Sequence, residues 1–162
     1  MSVPHLSPDH HPTLRHVDRQ AIGAELQQIL VVLLDLALLG KQAHWNVVGP
    51  HFRSLHLQLD EMIDAWREDA DRVAERAVAL GFAPDGRAAT VAARSPLTPL
   101  PGDQLADRDV VTALTRTLTD SVGAVRDRAA PLEDLDPVTA DVLHGVIAKL
   151  EEQLWMIRVQ AP

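Results

Sequence analysis

The chain of 162 residues contains no cysteine, which excludes a disulfide framework and any thiolate metal site. Lysine is nearly missing too: Lys41 and Lys149 are the whole complement, and the other basic residues are arginines interspersed with acids. No basic run forms a tail, so the usual electrostatic footprint of a nucleic-acid binder is lacking. No stretch alternates polar and apolar residues with the period of a strand. The longest apolar run, Ile29 to Leu39, is interrupted by Asp35 and is too short to cross a bilayer. The first twenty residues are polar and histidine-rich, without the apolar segment of a signal peptide. These absences together lead to the expectation of a soluble, cytoplasmic protein with no membrane partner.

What is present is helical and acidic. A net charge of −8, multiplied over an oligomer, makes an assembly that repels nucleic acid unless a basic patch is set apart. Residues 1–16 carry three prolines with His5, His10, His11 and His16, and read as a flexible tail. A secondary metal site or a cationic arm in acid is the sharper alternative for those histidines. Residues 17–162 read as one domain. A helix is expected from about Val17 to Val47, apolar nearly all round, and Gly49-Pro50 ends it. A second runs from Phe52 to Leu80, with Gly81 as a C-terminal cap. Residues 82 to about 106 are broken by Pro84, Gly86, Pro96, Pro99, Pro101 and Gly102, and RAATVAAR (87–94) is a candidate short helix within them. A third long helix from Asp107 to about Ala130 carries Val110, Leu114, Leu118, Val122 and Val125. A fourth from Val138 to Val159 carries Leu143, Ile147, Leu150, Leu154 and Ile157. The fold class is all-α: a four-helix bundle of ferritin-like type, with a long crossover between its second and third helices that carries a short extra helix.

Chemistry concentrates between Lys41 and Glu75. His56 and Asp60 lie four residues apart, as do Asp71 and Glu75, so each pair shares a helix face, and all four fall within an arc of roughly 100°. Imidazole with carboxylate suits iron or zinc, whereas an all-oxygen set would suit magnesium or calcium. Asp60 and Asp71 are eleven residues apart, which is ~16 Å along a helix. One ion, with ligands at about 2.0–2.2 Å, cannot touch both pairs of a single straight helix. A second copy running antiparallel, about a twofold axis near Ala65 and Trp66, brings His56 and Asp60 of one chain to Asp71 and Glu75 of the other. The spacing therefore suggests a metal site shared in an isologous dimer. Spacing alone equally allows two solvated helix pairs, although Asp71–Glu75 is a like-charge pair that favours a cation or base between its members.

The residues KQAHWNVVGPHFRSLHLQLDE and DRVAERAVALG, with AKLEEQLWMIR near the end, closely resemble the Dps family of mini-ferritins (DNA-binding proteins from starved cells). The resemblance spans about residues 20–160. It implies ferroxidase centres at the twofold interfaces of a hollow dodecamer. His44, His56 and Asp60 of one chain, with Asp71 and Glu75 of its partner, would be both the catalytic and the metal-binding residues. His44 enters the site only through this resemblance. The metal implied is iron, Fe(II) oxidised preferably by hydrogen peroxide and stored as Fe(III) mineral in the cavity, which protects against oxidative damage. The Glu-x-x-His pairs of ordinary di-iron bundles are absent, which disfavours a site inside one bundle.

Trp45 reads first as a packing residue, and the resemblance sets it beside the iron. Lys41, one turn before His44, is positioned to pair with Asp60 and compete with a second ion. Asp141 resembles the family's acidic pore position, and Asp134 and Asp136 are candidates for the pore entrance; an acidic helix start favoured by the helix dipole is the plainer reading of all three. The family name also implies DNA condensation, and a nucleoid location with it. This chain departs from the lysine-tailed members: near its N-terminus only Arg15 and Arg19 carry fixed positive charge, offset by Asp9 and Asp18. DNA binding is expected to be weak or absent at neutral pH, with the tail histidines adding charge in acid.

Overall fold

The run of Ile, Leu and Val that makes the first helix apolar on nearly every side also dictates its place in the fold. In the computed structural model, which describes residues 14–161 apart from the His16 side chain, α1 spans His16–Asn46. Ile22, Leu26, Ile29, Leu33 and Leu36 have no solvent exposure. Helices α2 and α4 pack against α1, and the short α3 covers it from the crossover. By length and composition the whole helix, rather than the shorter run noted in the sequence, suffices to cross a membrane. Here its apolar surface is spent on the bundle. The tail histidines His5, His10 and His11 and the His16 side chain lie outside the described residues.

Helix α2 (Phe52–Ala79) returns antiparallel to α1 and buries Leu55, Leu59, Ile63, Trp66, Val73 and Ala77, the inward stripe its spacing predicts. The two helices meet closely at Gly40, where an added Cβ would stand 2.5 Å from the Trp66 ring. The Trp66 indole N–H donates to Gln153 at 2.5 Å. Helix α2 stops as Gly81 predicts. Gly81 adopts φ +89°, its N–H bonds to Val78 O and that of Phe82 to Ala77 O. That is the Schellman arrangement, which only glycine enters without steric cost.

The crossover is held to α1 by polar contacts. Gln27 clamps the Asp85 backbone in both directions, at 2.9 and 2.8 Å. The Asp85 carboxylate gathers Arg87 and Thr90 at the head of α3 (Ala88–Arg94), and Ser95 donates to Asp35. Helices α4 (Asp107–Ala129) and α5 (Pro137–Arg158) complete the bundle. A 3₁₀ turn at Ala130–Leu132 joins them. The all-α expectation holds with one addition. Val47–Val48 (β1) and Leu105–Ala106 (β2) pair as a two-residue parallel bridge. Such a pair is too short to show period-2 patterning, and its partners are brought together only by the crossover.

Asp136 departs from its assignment to a pore entrance. Asp134 and Asp141 are exposed, but the Asp136 side chain is 7 % exposed and paired with Arg76 at 2.5 Å. It also caps α5, accepting from the Thr139 N–H and hydroxyl. The side chain lies inward because it must reach both the open helix end and a guanidinium on α2. Burial opposes its charge, but the hydrogen bonds from Thr139 and Arg76 and the Arg76 charge outweigh it, so the carboxyl titrates below its ordinary range. With an unfolded value near ~3.9, the carboxylate stabilises the fold above about pH 4 and ceases to do so as pH falls through the lower folded value. Asp136→Asn keeps a competent cap but loses the charge facing Arg76. It is expected to cost about 1–3 kcal/mol at pH 7. Denaturant midpoints at pH 7 and pH 3.5 check this, the gap between variant and wild type closing at the lower pH.

Candidate metal centre

The cluster is built by the tight return of α1 into α2. Val47 leaves the helix in an extended conformation, and Gly49 turns the chain at φ +132°. Asp107, at the head of α4, accepts from the His51 N–H and from the Arg108 N–H, each at 2.8 Å. These backbone donors, His51 first, hold its carboxyl below the usual range against the opposing effect of burial. A Cβ on Gly49 would stand 2.8 Å from that carboxylate. Glycine is therefore required twice over, by the backbone angle and by the close approach. Nothing in the sequence marked Asp107 for this role, since its partner lies 56 residues away.

The return brings His44 of the last α1 turn against His56 of the first α2 turns. The rings stack with centroids 3.7 Å apart and planes 21° from parallel. Each Nδ1 lies 3.0 Å from the other residue's backbone carbonyl. A carbonyl only accepts, so each Nδ1 is the donor, and Nε2 is the ring atom left to meet a metal. The His44 carbonyl lies in the last turn of α1, beyond the reach of the helix ladder, so His56 also serves as a cap there.

Asp60, one turn further along α2, completes the group. His44, His56 and Asp60 each offer a ligand atom, all within 4.8 Å of one another. An ion with ligands at about 2.0–2.2 Å would need them only slightly closer. Among the described residues no other such group of three occurs. The donor set of two imidazoles and one carboxylate fits iron or zinc. Lys41 pairs with Asp60 at 2.5 Å, as its position one turn before His44 predicts. That hydrogen bond is the main reason the Asp60 carboxyl sits below its ordinary range; burial opposes it, and the charges of His44, Lys41 and His56 assist. Asp60 therefore stays ionised and available.

Asp71 and Glu75 are exposed farther along α2 and are not part of this cluster within the chain. Trp45 does not pack inside the subunit as first read: it is 69 % exposed, and Leu38 and Phe52 are exposed too, at 58 % and 44 %. The Phe52 ring stands 5.0 Å from that of His56. Spacing did not single out Phe52 as part of the surroundings of the site, although its place one turn before His56 was the available signal. Gly49→Ala is expected to destabilise the fold by about 1–3 kcal/mol, through backbone strain. It would also part the stacked rings. Denaturant unfolding and the imidazole NMR resonances of His44 and His56 measure the two effects.

Comparisons with known proteins bear on the family of the chain. A family model described as a ferritin-like domain matches residues 23–161. DNA protection during starvation protein 2 of Deinococcus radiodurans is 37% identical over 133 residues, which is 82% of this chain. The chain spans 55% of that relative's length. The DNA protection during starvation protein of Agrobacterium fabrum is 32% identical, with 82% of each chain covered. Among solved structures, DpsA14 from Streptomyces coelicolor superimposes with a TM-score of 0.90 at 31% identity, over 96% of this chain and 94% of that one. A family model that takes in most of the chain, and a relative aligned over most of both lengths, leave one assignment: this chain belongs to the Dps family of ferritin-like mini-ferritins.

Proposed function

We propose that this protein is a ferroxidase and iron store whose reaction site is shared between two subunits. The observation that carries the proposal is the half-site itself. His44, His56 and Asp60 converge with both Nδ1 atoms already engaged, while Asp71 and Glu75 stay exposed on the same helix, at a spacing one ion cannot bridge. Two chains related by a twofold axis near Ala65 would join the halves into a five-ligand site. The likeness to the Dps family supports this reading.

Iron is the substrate. His44, His56 and Asp60 of one chain would hold Fe(II), with Asp71 and Glu75 of the other completing the site. Carboxylates favour Fe(III) over Fe(II), so a mixed set lowers the potential and promotes electron loss. With hydrogen peroxide as oxidant, two Fe(II) give up two electrons, the O–O bond breaks, and two protons convert the oxygens to two waters. No one-electron hydroxyl radical is released. Lys41 holds one oxygen of Asp60, where its ammonium competes with an incoming ion. That competition makes one iron position tighter than the other. Ferric product would collect inside a closed oligomer, a dodecamer in this reading, entered past acids such as Asp134 and Asp141. The protein would act in the cytoplasm. Protection of DNA would come from removing iron and peroxide rather than from contact, given a net charge of −8.

Anaerobic stopped-flow oxidation of Fe(II) by added peroxide tests the site. The variant His44→Ala/His56→Ala, with its assembly unchanged, is expected to oxidise iron roughly 100-fold more slowly. Equal rates for both proteins and the protein-free control would overturn the assignment. Sharing is tested by mixing. His56→Ala and Glu75→Ala chains, each inactive alone, are expected to recover activity when dissociated and reassembled together, because some interfaces then carry one intact site. No recovery from mixed oligomers would place all ligands in one chain.

A further inference from the structure

Leu34, Leu38, Lys41 and Trp45 share one stripe of helix α1, spaced at i, i+4, i+7 and i+11; Leu34 and Lys41 are half-buried, Leu38 and Trp45 exposed. Leu38 is 58 % exposed and Trp45 69 % exposed, beside the most deeply placed ligand, His44. A large aromatic left in water next to a metal cluster is a surface awaiting a partner. On the same flank, farther along the subunit, lies an open depression of about 290 Å³, walled by Leu30 and Leu34 of α1, Ala70 and Ala74 of α2, and Pro84 and Gly86 of the crossover. Arg67 and Asp71 stand on its rim. The small alanines and Gly86 leave the space open. It is roomy enough for an indole, and its walls are chiefly apolar.

The internal register relates the two features. Lys41 lies against Asp60 and His44 against His56, so Trp45 stands level with the first α2 turns, at about Leu55 and His56. The twofold relation that sets His56 opposite Glu75 brings everything at that level to the Ala74–Glu75 level of the second copy. Charges agree along the same alignment. Arg67 faces Asp64, and the Lys41–His56 edge faces Asp71 and Glu75, so opposite signs meet at each place. Because the axis is perpendicular to both α2 helices, the two α1 helices lie on the same side of the contact. Trp45 then projects toward the side where the second copy opens its depression.

We infer that Trp45 seats in the depression of the second copy, between Ala74 and the Pro84–Gly86 crossover, and so sets how closely Asp71 approaches His56 and Asp60. The inference rests on the shared-site reading and adds to it the positioning residue that joins the halves. Trp45 buries its ring where one wall carries Asp71, so the docking depth of the indole fixes the position of that carboxylate. Gly86 and Pro84 matter through the same contact. The crossover, tied to α1 by the Gln27–Asp85 clamp, is then a wall of the neighbouring half-site as well as a connection.

The absence of cysteine makes the test clean. Ala74→Cys introduces one thiol, and N-ethylmaleimide labels it at a rate that reports access to the depression in the intact oligomer. With Trp45 in place the expected labelling is at least about tenfold slower than in Trp45→Ala, and Trp45→Phe restores most of the protection. Equal rates in oligomers with and without Trp45 overturn the inference. Should Trp45→Ala separate the subunits, Trp45→Leu, which keeps an apolar side chain, replaces it in the comparison: faster labelling of Ala74→Cys in the assembled Trp45→Leu protein than with Trp45 in place supports the contact, and equal rates refute it. As a functional readout, Trp45→Ala is expected to raise the Fe(II) concentration for half-maximal oxidation more than it lowers the saturated rate, with Trp45→Phe near wild type. An unmoved half-saturation counts against a positioning role. Loss of the contact with oxidation still dependent on His56 would remove this inference alone. Oxidation indifferent to His44 and His56 would remove the site reading beneath it.

Discussion

The site depends on a carboxylate that coordinates nothing. Asp107 holds the His51 N–H and crowds against Gly49, and in doing so fixes the angle at which α2 leaves α1. The stacked histidines, the Lys41–Asp60 pair and the register between the two helices all follow from that angle. The β1–β2 bridge adds a second tie at the same place. Helix α4 is thus bound to the turn that sets the histidines, although it contributes no ligand. Its N-terminal residue supports the centre by accepting from the His51 N–H, a donor at the head of α2 that the helix itself leaves unpaired.

Polar groups elsewhere in the bundle serve a similar structural purpose. The seam between α2 and α5 carries Trp66–Gln153, Asp69–Lys149 and Arg76–Asp136 in succession. Apolar packing alone would let two helices slide past one another at small cost. A series of directional bonds, each buried or half-buried, fixes one register. That matters because Asp71 and Glu75 lie on the outer face of the same α2, and any axial slip would displace them from where the proposed shared site would need them.

Much of this was legible in the sequence, and the reason differs from residue to residue. Helix limits could be read because Gly49-Pro50 and Gly81 act locally, through backbone angles that need no tertiary context. The inward stripes could be read because burial repeats with the helical period. His56 with Asp60, and Asp71 with Glu75, could be read as pairs because four residues make about one turn. Of the two readings open for Asp136, pore entrance or helix start, the structure shows the helix start, and its pairing with Arg76 was not legible because that partner lies on another helix. Trp45 was taken for a packing residue, although the subunit leaves it in solvent. Asp107 and the β1–β2 bridge were invisible for the same cause. Each owes its role to a neighbour that only the folded chain supplies.

The apolar character of α1 has a consequence for how the chain comes into being. This helix leaves the ribosome before α2, α4 and α5, carrying hydrophobic side chains on faces that belong to different later partners. Helix α2 follows at once and can pair with it locally, but the surface meant for α4 stays uncovered until the crossover and α4 have been made. At about 5–20 residues per second that is an interval of several seconds. During it the half-built hairpin presents a sticky face to other nascent chains of its own kind. A homo-oligomeric protein of this kind therefore passes through a stage at which its copies are best kept apart.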